Sequence, residues 1–200
     1  MNLQELTRIS QKLVADNRGI LAADESTSTI EKRFKTIGVG CTEEARRGYR
    51  EMLFTTPGME KFISGVIMYD ETLRQQTSSG MPFAAMLTER GVVPGIKVDK
   101  GVTPLAGSPG EKITEGLDGL RERLQEYHRL GARFAKWRAV IDIADGIPTE
   151  YCLLANAQAL ARYAALCQET GLVPIVEPEV LMDGAHTLER CAEVTAATLK

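Results

Sequence analysis

The sequence predicts an α/β fold: a parallel sheet, covered by helices, that curves toward a closed barrel. Three observations predict it. Five short apolar runs read as buried strands. Helical patterns lie between them, and continuous apolar strands alternating with helices indicate a parallel sheet. All five runs carry charges, three of them as i, i+2 pairs, which a strand points to one face. An open doubly wound sheet has apolar helices on both faces and little room for such pairs, whereas the mouth of a barrel has room.

The elements follow in order. MNLQELTRISQKLVAD is an amphipathic helix with acidic residues, unlike a signal or transit peptide. GILAADE (19–25) is the first strand, and ESTSTIEKR after Asp24 opens a helix rich in hydroxyls. TEEARRGYREMLF (42–54) is a helix with a threonine cap and an acidic first turn. GVIMYDE (65–71) is the second strand, with Asp70 and Glu71 as surface turn residues. GIKVDK (95–100) is the third, followed by a Gly- and Pro-rich surface loop, TPLAGSPGEK (103–112). EGLDGLRERLQEYHRL (115–130) repeats leucine at helical steps. FAKWRAV (134–140) is the fourth strand, and residues 149–170 form a long helix stopped by Gly171. VPIVEPEV (173–180) is the fifth strand, and another helix starts at 186. Successive strands start roughly 40 residues apart, and no linker or low-complexity tract divides the chain, so residues 1–200 read as one domain. The chain stops at Lys200 inside that last helical pattern and reads as an N-terminal fragment.

A net charge of −3 gives no electrostatic case for nucleic acid or an anionic membrane, and no apolar run is long enough to span a bilayer. Cys41, Cys152, Cys167 and Cys191 show no Cys-x-x-Cys spacing, and no histidines cluster near them, so no metal site is expected. Reduced core cysteines favour the cytoplasm.

The strand charges form one constellation: Asp24-Glu25, Asp70-Glu71, Lys97-x-Asp99, Lys136-x-Arg138 and Glu177-x-Glu179. A buried lysine beside carboxylates suits acid/base or imine chemistry, and a glutamate there can shuttle protons. Arginine and lysine at the rim suit phosphate, as do the hydroxyls and amides at Ser26 to Thr29. Each piece also has a plainer reading. Ser26 can simply cap a helix, lysine stems can snorkel, and Lys136 and Arg138 can serve structural ion pairs. Trp137, between them, faces away and packs.

GILAADEST, GIKVDKGVTPLAG, GLDGL, GA-x-FAKWR and VPIVEPE, in this order, resemble class I (Schiff-base) fructose-bisphosphate aldolase; EEARRGYR, ANAQALARYA and LERC fit as well. The resemblance implies a TIM (β/α)8 barrel, of which about five βα units are present. It also implies cytoplasmic glycolysis or gluconeogenesis, no metal or other cofactor, a sugar phosphate as small-molecule substrate, and a homo-oligomer, a tetramer in the family. The implied reaction is reversible cleavage of fructose 1,6-bisphosphate to dihydroxyacetone phosphate and glyceraldehyde 3-phosphate. Carried over by position, Asp24 is a catalytic carboxylate near the scissile bond, and Glu177 the main acid/base. Glu179 supports the lysine cluster, and Lys136 positions and polarises the reacting carbinolamine. Arg138, Lys97, Ser26 and Arg33 contact substrate and phosphate, and Arg46 is a lesser substrate-binding candidate. Ser28-Thr29 stands where animal members commonly have Gly-Ser; Thr29 keeps a hydroxyl for phosphate. Asp70 stands where those members usually have histidine. The imine-forming lysine of the family lies on the sixth strand, beyond Lys200, so these residues alone are expected to fold poorly and to show no turnover. The alternative reading is a non-catalytic half-barrel kept as a binding or scaffold module.

Overall fold

The computed structural model describes residues 2–15 and 17–200. Five parallel strands form one sheet: β1 (Gly19–Ala23), β2 (Ile63–Met68), β3 (Val93–Lys97), β6 (Phe134–Ile141) and β7 (Val173–Val180), in the spatial order β1-β2-β3-β6-β7. β4 (Val102–Pro104) and β5 (Lys112–Thr114) form a separate antiparallel hairpin between β3 and β6. The helices are α1 (Leu3–Leu13), α2 (Thr27–Thr36), α3 (Glu43–Thr55), α4 (Asp70–Arg74), α5 (Phe83–Glu89), α6 (Leu120–Arg129), α7 (Glu150–Thr170) and α8 (Leu188–Thr198). The sheet is a partial β/α barrel with β1 and β7 as its two edges.

Alternation along the strands separates two apolar layers. Outward residues, among them Val66, Met68, Ile96, Ala135, Trp137 and Ala139, pack with Leu87, Leu124, Leu160 and Tyr163 of the covering helices. Inward residues Ile67, Val93 and Phe134 pack with Ile9 and Leu13, so α1 closes the amino-terminal end of the sheet. This inner layer depends on glycine: a Cβ on Gly65 would lie 2.6 Å from Leu13 and 3.1 Å from Phe134, and one on Gly95 would overlap the Phe134 ring. Two missing side chains thus make the space that one fully buried phenylalanine fills.

The expected strands appear within a few residues of their predicted places, with four departures between and after them. The stretch 103–112 is a hairpin with a tip rather than a long loop, because Glu115 and Lys100 continue the β4–β5 ladder through Lys100 N–H to Glu115 O at 2.8 Å. Glu111 fixes the tip, accepting from the Ser108 hydroxyl (2.6 Å) and from the Thr149 amide (2.7 Å) and hydroxyl (2.6 Å). Helix α6 starts at Leu120 instead of 115, since Gly116 and Gly119 take positive φ values of 132° and 63°. Asp70 and Glu71 open the short helix α4 rather than a turn, and α8 ends at Thr198 with Leu199 as its cap, before Lys200. Ser26, Thr42, Thr149 and Thr187 each cap a helix by accepting from an amide three residues on.

Candidate active site

The inner faces of the strands change from apolar to charged toward their carboxyl ends. Two residues beyond Phe134 on the same face stands Lys136, two further Arg138; Ile175 is followed in the same way by Glu177 and Glu179, and Ile20 by Ala22 and Asp24. Lys97 is the last residue of β3 and the register partner of Lys136. The charges open into a cavity of about 1090 Å³ at that end of the sheet.

Lys136 stands at the centre. Its ammonium is 2.8 Å from Asp24 on the β1 side and 3.3 Å from Glu177 on β7. Lys136 and Asp24 are buried, and Glu177 is half-buried. Burial alone pulls a lysine toward its neutral form. Here the hydrogen bond to Asp24 and the charges of Asp24 and Glu177 outweigh it, so the pKa of Lys136 lies above that of an ordinary lysine. Lys136 is therefore an ammonium at neutral pH, fit to donate hydrogen bonds and stabilise developing negative charge, and unfit as a nucleophile.

Around this pair lie cations. Arg138 pairs with Glu179 across the β6–β7 ladder, and that hydrogen bond holds its pKa above the usual arginine value against partial burial. Lys97 pairs with Asp99 and also donates to the Asp99 carbonyl at 2.8 Å. Arg33 reaches from α2 to Glu25 and stays more than half exposed at the rim. The Ser26 hydroxyl lies 3.0 Å from those of both Ser28 and Thr29, which groups three hydroxyls on the cavity wall. Ser26 thus caps α2 and faces the cavity at once.

Of the residues singled out from sequence, Asp24, Ser26, Thr29, Arg33, Lys97, Lys136, Arg138 and Glu177 line this one cavity. Glu179 stands behind it as the partner of Arg138. Arg46 lies outside the lining: its guanidinium is spent on Glu71, at 2.8 and 2.5 Å, and on the Cys41 carbonyl at 2.8 Å. Arg50 went unseen in the sequence. It is 3% exposed, sits 2.8 Å from the Glu25 carboxylate and donates to the Glu25 carbonyl at 3.0 Å, anchoring the segment that carries Asp24. Burial lowers its pKa, with Glu25 acting against that. The signal was the doubled acid Asp24-Glu25: neighbouring residues leave a strand in different directions, so two partners were required.

The family model described as fructose-bisphosphate aldolase class-I matches residues 5–200. A protein of Xanthomonas campestris pv. campestris named "Probable fructose-bisphosphate aldolase class 1" is 62% identical over the whole of this chain and 60% of its own length. "Fructose-bisphosphate aldolase 5, cytosolic" of Arabidopsis thaliana is 55% identical over 98% of this chain and 54% of its own. The solved fructose-bisphosphate aldolase from Plasmodium falciparum, in complex with TRAP and a small-molecule inhibitor, superposes with a TM-score of 0.96. It is 52% identical and matched over 98% of this chain and 57% of that one. The chain spans about 60% of the length of the curated relatives it matches first. A lysine held between two carboxylates, the cations around it and these likenesses agree: the chain belongs to the class I fructose-bisphosphate aldolase family.

Proposed function

We propose that the protein acts as a fructose-bisphosphate aldolase, cleaving fructose 1,6-bisphosphate reversibly to dihydroxyacetone phosphate and glyceraldehyde 3-phosphate through a lysine imine. The observation that carries this reading is Lys136, held as an ammonium between Asp24 at 2.8 Å and Glu177 at 3.3 Å. Imine chemistry on a ketone needs a neutral amine as nucleophile, an acid to lose water from the carbinolamine, and a base for the hydroxyl beside the breaking carbon–carbon bond. Glu177, the more exposed of the two carboxylates, is placed to pass protons to and from the carbinolamine. Asp24, buried against Lys136, is the carboxylate nearest the scissile bond. Lys136 polarises the reacting oxygens and carries no covalent step, since its proton is held by both carboxylates.

The two phosphates and the hydroxyls fall to Lys97, Arg138, Arg33, Ser26 and Thr29, with Glu179 fixing Arg138 and neutralising it in part. The imine-forming lysine lies outside residues 1–200 in this reading. The protein works in the cytoplasm as a homotetramer, as the resemblance implies.

The test joins this chain to the part of the Xanthomonas campestris relative that it does not cover. The joined protein should cleave fructose 1,6-bisphosphate and be trapped covalently by borohydride. The 200-residue chain alone should neither cleave the sugar bisphosphate nor be trapped. Borohydride trapping at Lys136 in the 200-residue chain would overturn the assignment of roles, and a well-folded joined protein without cleavage activity would overturn the function.

A further inference from the structure

We infer that Asp99, which no role above uses, is a positioning residue that aims the Lys97 ammonium into the cavity. The inference rests on the aldolase reading for the identity of the ligand and on geometry for everything else. Regular pairing between β3 and β6 ends at Lys97 and Lys136, apart from one further bond from Val98 N–H to the Lys136 carbonyl at 3.0 Å. The chain then leaves the sheet toward the β4–β5 hairpin. Where it leaves, the Asp99 side chain takes over from the missing backbone acceptors. One oxygen accepts from the Gly101 amide at 3.1 Å, and the other from the Arg138 amide at 3.4 Å. The first oxygen also receives the Lys97 ammonium.

Asp99 is thus locked by two backbone donors from two segments, and its side chain is almost entirely buried. Asp99 lies on the cavity wall, and its negative charge is paired with Lys97. Of the three N–H groups of Lys97, two are engaged by Asp99, one by its carboxylate and one by its carbonyl at 2.8 Å. The third is left for a ligand. A free lysine has a long, mobile stem, and fixing it beforehand removes an ordering cost from binding. Arg123 braces the same turn from below, donating to the Val98 carbonyl at 3.0 Å.

The test, in the joined protein, is a double-mutant cycle on affinity for fructose 1,6-bisphosphate and, separately, for inorganic pyrophosphate, with K97M, D99N and K97M/D99N. D99N should weaken both ligands about tenfold, equivalent to about 1.4 kcal/mol, and should speed amide exchange at Gly101 and Arg138. In the K97M background, D99N should change affinity less than twofold, because its effect runs through Lys97. If D99N alone folds badly, K97M and K97M/D99N still decide the matter, since more than a twofold loss between them overturns the inference. Equal losses with and without Lys97, or unchanged affinity despite faster exchange, would make Asp99 a purely structural residue and overturn the inference. Pyrophosphate binding that follows the cycle while the wild type ignores fructose 1,6-bisphosphate would leave the positioning role standing and sink the aldolase reading instead.

Discussion

Gly95→Ala is a one-methyl change with a large expected effect. The new Cβ would overlap three carbons of the Phe134 ring, all inside the 3.0 Å that real Cβ contacts do not cross. Ring or strand must move by at least about 0.8 Å, from 2.2 Å to 3.0 Å at the nearest carbon. The ring has nowhere to go, being fully buried against Ile9, Leu13, Ile67 and Val93. Overpacking of this kind costs about 1–3 kcal/mol, and a rigid ring meeting a central strand argues for about 2–3. For a domain of this size that lowers Tm by roughly 4–12 °C. The strain also reaches the site, because Gly95 and Phe134 are register partners two residues before Lys97 and Lys136. Urea unfolding of wild type, G95A, F134L and G95A/F134L tests this at constant m-value. Leucine lacks the ring carbons that clash, so the double variant should be at least about 1 kcal/mol more stable than the two single effects predict together. A G95A protein within about 0.5 kcal/mol of wild type, or strict additivity, would refute the steric account.

Lys136→Met leaves Asp24 buried without its partner and should cost about 3–5 kcal/mol, while K136M/D24N should recover most of that in the same unfolding assay. The raised pKa of Lys136 means that its contribution to stability is fully present below the ordinary lysine value of about 10.4. That contribution is lost as pH rises through its higher folded value. The gap in stability between wild type and K136M should therefore shrink above about pH 10.4 and stay flat between pH 8 and 9.5. Glu111→Gln should cost about 1–3 kcal/mol and loosen the hairpin tip, seen as faster amide exchange at Thr149. Burial works against the charge of Glu111, but the bonds from Ser108 and Thr149 win and depress its pKa. Its stabilisation is then present above about pH 4.3 and lost as pH falls below that toward the folded value. EDTA should leave cleavage by the joined protein unchanged, as a metal-free imine mechanism requires; loss of turnover restored by a divalent ion would exclude that mechanism.

The five strands were legible because each is a continuous apolar run, which buried parallel strands must be. The shared cavity was legible because i, i+2 spacing fixes a face without any knowledge of the partner. The short elements were not. β4 and β5 have three residues each, and α4 and α5 have five and seven, too few for a period to show. Nor were the partnerships that cross the chain. Arg50 meets Glu25 across 25 residues and Asp99 meets Arg138 across 39; spacing within a segment says nothing about such distances. Arg46 was singled out and Arg50, one helical turn further along α3, was not, yet Arg50 is the one that reaches Glu25 while Arg46 pairs with Glu71.

The outer edge of β7 has a chemical polarity of its own. The amides of Val173 and Leu181 donate inward to Arg133 and Ile141, and the register between them runs without a break. Alternation therefore turns positions 174, 176, 178 and 180 outward, and two of these four are prolines, which have no N–H to give. A second strand approaching that edge finds donors only at Val176 and Val180. Any strand that adds there must bring its acceptors to these two positions, in a single register.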